Sequence, residues 1–349
     1  MSKRPRESTA AVVMDPAELV RRVPLAPHQL TQRLTPQSDL FVLAHLGLPR
    51  VEAANWRVEI RGLVERPLTL TLDQIRRRPK RRVQSFHQCA GFPLRPDVAT
   101  RRVGNVVWGG ADLADLLRDA GVDPSARFLW ARGADHGDYE GHHVEAYVKD
   151  MPLDRLDQGG VLLAYEVNGE PLTLEHGFPL RLIVPGYYGT NAVKWLTRLE
   201  LRDRRPELPF TTVFYNDPAV PGKPGGDKRP VWAAPPESLI VAPADGASLA
   251  FACVEIRGWA WGANGVSSVE ISTDGGGNWQ AAALDARAEW SWQRFTFTWR
   301  PATPGDYRLM ARAVDPTGAC QPLSAARNAV HEIRVMITGR PEATCVRGK

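Results

Sequence analysis

Residues 162–196 read "LLAYEVNGEPLTLEHGFPLRLIVPGYYGTNAVKWL", and more of the fold is decided here than in any other stretch. Two strand-like runs flank Asn168-Gly169, a dipeptide that accepts positive φ and is the strongest short hairpin signal. "FPLRLIVPG" adds an apolar strand ending in Pro-Gly. His176, Arg181 and Lys194 surround a loop containing Gly186 and Gly189. Two cations, a histidine and close backbone approach at glycine can cradle a phosphate-bearing cofactor. Each residue alone says little, because Arg and Lys are mostly solvated and His176 precedes a Gly-Phe-Pro turn.

Outward from this block, "WRVEIRGLV" (56–64) alternates like a strand, with Trp56, Val58 and Ile60 on one face. "ADLADLLRDAGV" (111–122) has Leu113, Leu116, Leu117 and Ala120 at helical spacing, and Gly121 can stop the helix. The order is not a regular βαβ alternation, so an α+β domain is expected. Proline, glycine and charge dominate 216–237, which reads as a linker or an extended surface crossing. After it come short strands separated by turn signals, the pattern of an immunoglobulin-like β-sandwich. In "FTFTW", Phe295, Phe297 and Trp299 share one face and are read as core. The expected domains are a loosely ordered lead-in (1–35), a first domain (36–232), the sandwich (233–340) and a tail (341–349).

With 349 residues, 43% apolar and 24% charged, the chain can bury two sizeable cores. The net charge of +5 is densest in "RRRPKRR" (76–82), read as the solvated end of a short helix rather than a nucleic-acid surface. No apolar run reaches the roughly 18–20 residues of a membrane span. The N-terminus has basic residues but no continuous apolar stretch of the kind an export signal carries, so a cytoplasmic protein is expected. Four scattered cysteines, at 89, 253, 320 and 345, form neither a disulfide framework nor a CxxC zinc pattern.

Cys89, in "QSFHQCAGFPLRPD" (84–97), has three readings. It can be an inert buried thiol, a nucleophile with His87 as base, or a soft thiolate ligand for a transition metal. Residue chemistry alone leaves all three open.

"HQCAG", "VVWGGADLADLL", the 162–196 block and the following sandwich together resemble the sulfite oxidase family of molybdenum enzymes, over about residues 36–337. The resemblance implies a single molybdenum on one molybdopterin, with Cys89 as the protein's own metal ligand. The cofactor contacts it carries over are Phe41, Val42, Leu43, Ala44 and His45, then Asp115, His176, Arg181, and the turn Ala192, Val193 and Lys194. Asp115 reads equally well as a residue stabilised in the first turn of its helix. The implied reaction is a two-electron oxygen-atom transfer. The active-site tyrosine maps to Tyr215, with Tyr187 and Tyr188 as rivals, and His136 is a candidate lining residue. A homodimer through the sandwich and a separate electron-transfer protein are also implied. No room is seen for a haem module before residue 36, and there is no CxxCH motif.

Two departures bear on the substrate. Leu43 stands where sulfite-oxidising members carry an arginine, and Phe92-Pro93-Leu94 replace arginines after the cysteine, with Arg95 shifted. Losing charge-assisted contacts worth about 1.5–3 kcal/mol each disfavours sulfite. A less charged sulfur or nitrogen compound is expected instead. The alternatives are an S-oxide-type reductase, a non-catalytic binding protein with a vestigial site, and a thiol hydrolase using Cys89 and His87.

Overall fold

The computed structural model describes residues 14, 20–21, 24–91, 102–219, 227–324 and 328–339. Among these the first domain is mostly β. Its helices are short: Leu72–Arg76, Leu113–Ala120 and Pro209–Thr212. The α+β expectation is corrected accordingly, because apolar alternation outweighs helical spacing in most segments.

One sheet runs in the order Val148–Pro152, Phe128–Gly133, Leu196–Arg202, Arg57–Gly62, Leu68–Thr71. Arg57–Gly62 pairs in parallel with Leu196–Arg202, whereas the other neighbours are antiparallel. A second sheet runs Glu170–Pro171, Leu162–Val167, Val103–Asp112, Lys80–Gln88, with Arg181–Ile183 also paired to Leu162–Val167. Trp56, Val58 and Ile60 enter the core with Leu113, Leu116, Leu117, Leu199 and Leu201. Each such side chain contributes roughly 1.5–3 kcal/mol on burial. The hairpin forms as read, with Asn168 at φ 53° and Gly169 at 88°. The Leu113–Ala120 helix is capped by Asp112, whose carboxylate accepts from Ala114 N, and ends at Gly121, φ 66°.

The second domain is a sandwich of a four-stranded and a five-stranded sheet. Ile240, Ile256, Phe295 and Trp299 meet Val269, Leu309, Ile333 and Val335 between them, with Phe297 packed alongside.

The domains meet tightly. Phe86, Tyr188, Val231, Ala234, Trp259, Trp261 and Trp292 form one cluster. Phe86 N donates to Trp290 O (3.0 Å) and Trp290 N to Gln84 O (3.1 Å), so a second-domain segment extends the Lys80–Gln88 edge. Gln88 Nε2 donates to Glu237 Oε2 (2.7 Å), and Trp261 Nε1 donates to Gln88 Oε1 (2.8 Å).

Two expectations change at this junction. Residues 24–35 are not a loose lead-in. Leu30 is buried, and Arg33 O accepts from Asn105 and Trp292 side chains. Residues 231–234, within the expected linker, pack on the glycine loop: Tyr188 N donates to Trp232 O, and Ala234 N to Gly186 O. Among the described residues no helix is long and apolar enough to cross a membrane.

Candidate active site

Strand alternation places His87 and Cys89 on the same side of their segment, and both line one cavity. Phe41 to His45, Asp135, Tyr147, His176, Arg181, Gly189, Thr190, Ala192, Lys194 and Tyr215 complete most of its wall. The segments that carry these groups are far apart in sequence, so the cavity exists only once both sheets have paired.

One end is cationic. Arg181 Nη1 and Nη2 donate to His176 O and Ala192 O, both at 3.0 Å. Lys194 Nζ donates to Leu43 O (3.1 Å) and Glu175 O (2.9 Å). Backbone carbonyls fix both cations, and no carboxylate neutralises either by direct contact among the described residues. Burial lowers the Arg181 pKa to about 9, which leaves the guanidinium charged at neutral pH. Burial and the Arg181 charge lower Lys194 to about 7, opposed by Asp135. Burial raises Asp135 to about 7, opposed by Lys194. His87 is pushed well below its ordinary value by burial, then by Arg181, His176 and Lys194, so the ring is neutral.

The other end is phenolic. Tyr215 Oη and His45 Nε2 share a hydrogen bond at 2.5 Å. Tyr147 Oη donates to Thr190 O (2.8 Å). Burial raises the pKa of Tyr215 and of Tyr147, and Cys89 adds to the rise in each. Lys149, almost wholly buried, donates to Phe210 O (2.9 Å) and lies over the Tyr215 ring at 5.3 Å. Tyr215 itself adopts φ 57°. A bulky side chain in the left-handed region costs about 1–3 kcal/mol and is typical of functional positions.

With this geometry in place, comparison with known proteins is decisive. Residues 45–210 match the oxidoreductase molybdopterin binding domain family, and 228–338 the Mo-co oxidoreductase dimerisation domain family. Sulfite oxidase of Arabidopsis thaliana is 30% identical over 83% of this chain and 82% of its own length. The chain belongs to the sulfite oxidase family.

Mitochondrial sulfite oxidase of Mus musculus is 31% identical over 89% of this chain, which spans 63% of that relative's length. The solved structure of the sulfane dehydrogenase SoxCD from Paracoccus pantotrophus superposes with TM-score 0.76 at 28% identity, covering 95% of this chain and 90% of that one. Family membership makes a molybdopterin the group to test against the cavity, and the residues fit it. Asp135 Oδ1 and Arg181 Nε are buried without a hydrogen-bond partner among the described residues. An added Cβ at Gly189 would lie 3.0 Å from the His87 ring, so glycine there is part of the cavity's shape.

The sequence-derived set divides. Cys89, Phe41 to His45, His176, Arg181, Ala192, Lys194 and Tyr215 come together. Val193 is drawn into the core instead, and its carbonyl accepts from Leu182 N. Asp115 is corrected: its side chain is 48% exposed, bonded to Arg118 at 2.8 Å, and does not line the cavity. The helix-start cue was local, whereas the acid that faces the cavity is Asp135, just past the Phe128–Gly133 strand. Tyr187 packs against Arg155, Tyr188 lies in the interdomain cluster, and His136 is not among the lining residues. His87 and Cys89 share no hydrogen bond; the thiol accepts from Gly91 N at 3.4 Å, which removes the dyad a thiol hydrolase needs. Phe92-Pro93-Leu94 and Arg95 lie outside the described residues.

Sequence reasoning missed Asp135 and Tyr147. A charged residue after the alternating "FLWARG" (128–133) was the available signal for the first.

Proposed function

We propose that this chain is a molybdenum-molybdopterin oxidoreductase acting on a small sulfur or nitrogen compound of low charge rather than on sulfite. The observation that carries the reading is a single buried thiol, Cys89, in the same cavity as two carbonyl-anchored cations. Cys89 would hold the metal, and Arg181, Lys194, His176 and Asp135 would hold the pterin and its phosphate. When bound, the molybdenum centre supplies two-electron oxygen-atom transfer.

The chain's own part is positioning and charge. Arg181 and Lys194 are fixed in place by carbonyls before anything binds, so their donors need no reorganisation. Tyr215 and His45 hold one proton between Oη and Nε2 at the phenolic end, where a substrate oxygen can meet it. Leu43, which stands where sulfite-oxidising members carry an arginine, lines the cavity, and this supports a weakly charged substrate. The relatives named as oxidases and a dehydrogenase give no preference to an S-oxide reductase, and the retained thiol and cations give none to a vestigial binding protein.

The same proposal includes an immunoglobulin-like second domain, a homodimer formed through it, and a separate protein that accepts the electrons. The match of residues 228–338 to a dimerisation domain supports the dimer. Light scattering that returned a monomer at micromolar concentration would remove it. The main test is elemental analysis of protein made in a host that synthesises the cofactor. Near one molybdenum per chain is expected, and none in well-folded protein would overturn the reading.

A further inference from the structure

We propose that His87 holds the cofactor, its imidazole N–H donating a hydrogen bond to an acceptor on the bound molybdopterin at the cationic end of the cavity. The inference rests on the functional reading above and adds a residue to it.

Four observations converge. His87 is 7% exposed, lines the cavity, and makes no hydrogen bond to a described residue. Buried polar groups almost always have partners, so an imidazole left open toward a cavity points to a ligand atom that completes it. Its ring is clamped between Phe41, stacked at 5.3 Å and 13°, and Trp108, edge-on at 5.4 Å and 72°. The side chain is therefore ordered before binding and loses little entropy when it meets the ligand. Gly189 leaves the ring edge clear, since a Cβ there would come to 3.0 Å from both Cε1 and Nε2.

Charge explains why a histidine suits this place. Arg181 and Lys194 line the same cavity, and a third fixed cation there would repel them. A neutral imidazole adds one donor and one acceptor, hence direction without charge. The neighbours also favour cofactor over substrate, because Trp108, which His87 meets edge-on at 5.4 Å, carries the Arg181 guanidinium over its ring at 5.0 Å. An apolar side chain could pack on Phe41 and Trp108 without burying an open polar ring. The imidazole is the costlier choice unless something bonds to it.

The test compares wild type, His87→Leu and His87→Gln made in a cofactor-producing host. Molybdenum and pterin per chain are measured, then the rate of pterin loss on dialysis, alongside melting of the cofactor-free proteins. His87→Leu should lose pterin about tenfold faster than wild type, and His87→Gln, which keeps a donor, within about threefold. Unchanged retention in His87→Leu would overturn the inference. Equal loss in both variants would also overturn it, since shape alone would then be responsible. Wild type lacking both molybdenum and pterin would take down the functional reading first, before any variant is compared.

Discussion

The two ends of the cavity are built on opposite principles. At the cationic end, Arg181 and Lys194 are held by main-chain carbonyls, and their charge is left for a visitor. At the phenolic end, Tyr215, His45, Tyr147 and Thr190 satisfy one another. The first end is costly while empty and repaid by an anionic group. The second is nearly complete by itself and can offer a substrate only a shared proton and aromatic surface. On the proposed function, binding strength and chemistry are thus separated in space.

The sharpest way to break this contrast is to remove the thiol. Cys89→Ser should keep the fold but retain less than about a tenth of the wild-type molybdenum, measured by elemental analysis. Next is Lys194→Met. A buried ammonium held by carbonyls, with no carboxylate in direct contact among the described residues, is expensive, so the cofactor-free variant should melt a few degrees higher than wild type. Its cofactor should nevertheless dissociate about 10–100-fold faster, the loss of a charged contact worth roughly 1.5–3 kcal/mol. A variant that was both less stable and equally retentive would dissolve the distinction between the ends.

Tyr215→Phe probes the opposite end. Turnover should fall about 10–100-fold with molybdenum content unchanged, read as kcat on the protein's own substrate. An equal loss of metal would move Tyr215 into the binding half.

The smallest effect is a pH dependence. Asp135 is raised from 3.8 to about 7, so the native state binds the extra proton and its stability falls as pH rises from about 4 to 7. Lys194 is lowered from 10.5 to about 7, so the unfolded state binds the extra proton and stability rises from about 7 to 10. The cofactor-free protein should therefore show a shallow stability minimum near pH 7 in thermal melts. In the Asp135→Asn, Lys194→Met double variant it should flatten.

What could be read from the sequence divides along the same line of physics. The Asn168-Gly169 hairpin, the Leu113–Ala120 helix and the alternation in "WRVEIRGLV" are set by neighbours within a few residues, and all three form as read. Cys89, Arg181, Lys194 and Tyr215 could be picked out because the family resemblance carried them as motifs. Asp115 was chosen on a helix-start argument valid at its own position and irrelevant to the cavity. Asp135 and Tyr147 lie at the ends of two paired strands that are fixed in the sheet by Leu196–Arg202, far along the chain, which short-range spacing does not encode. The packing of residues 24–35 and 231–234 at the domain junction was hidden for the same reason, since their composition reads as linker until their partners are known.

The graft of Trp290 onto Gln84 and Phe86 has a temporal meaning as well. On the ribosome the first domain emerges long before residue 290, and until then the Lys80–Gln88 strand that leads into Cys89 presents a bare edge. Unpaired edges are where nascent chains go astray. The segment that leads into Cys89 is therefore sealed only late in synthesis.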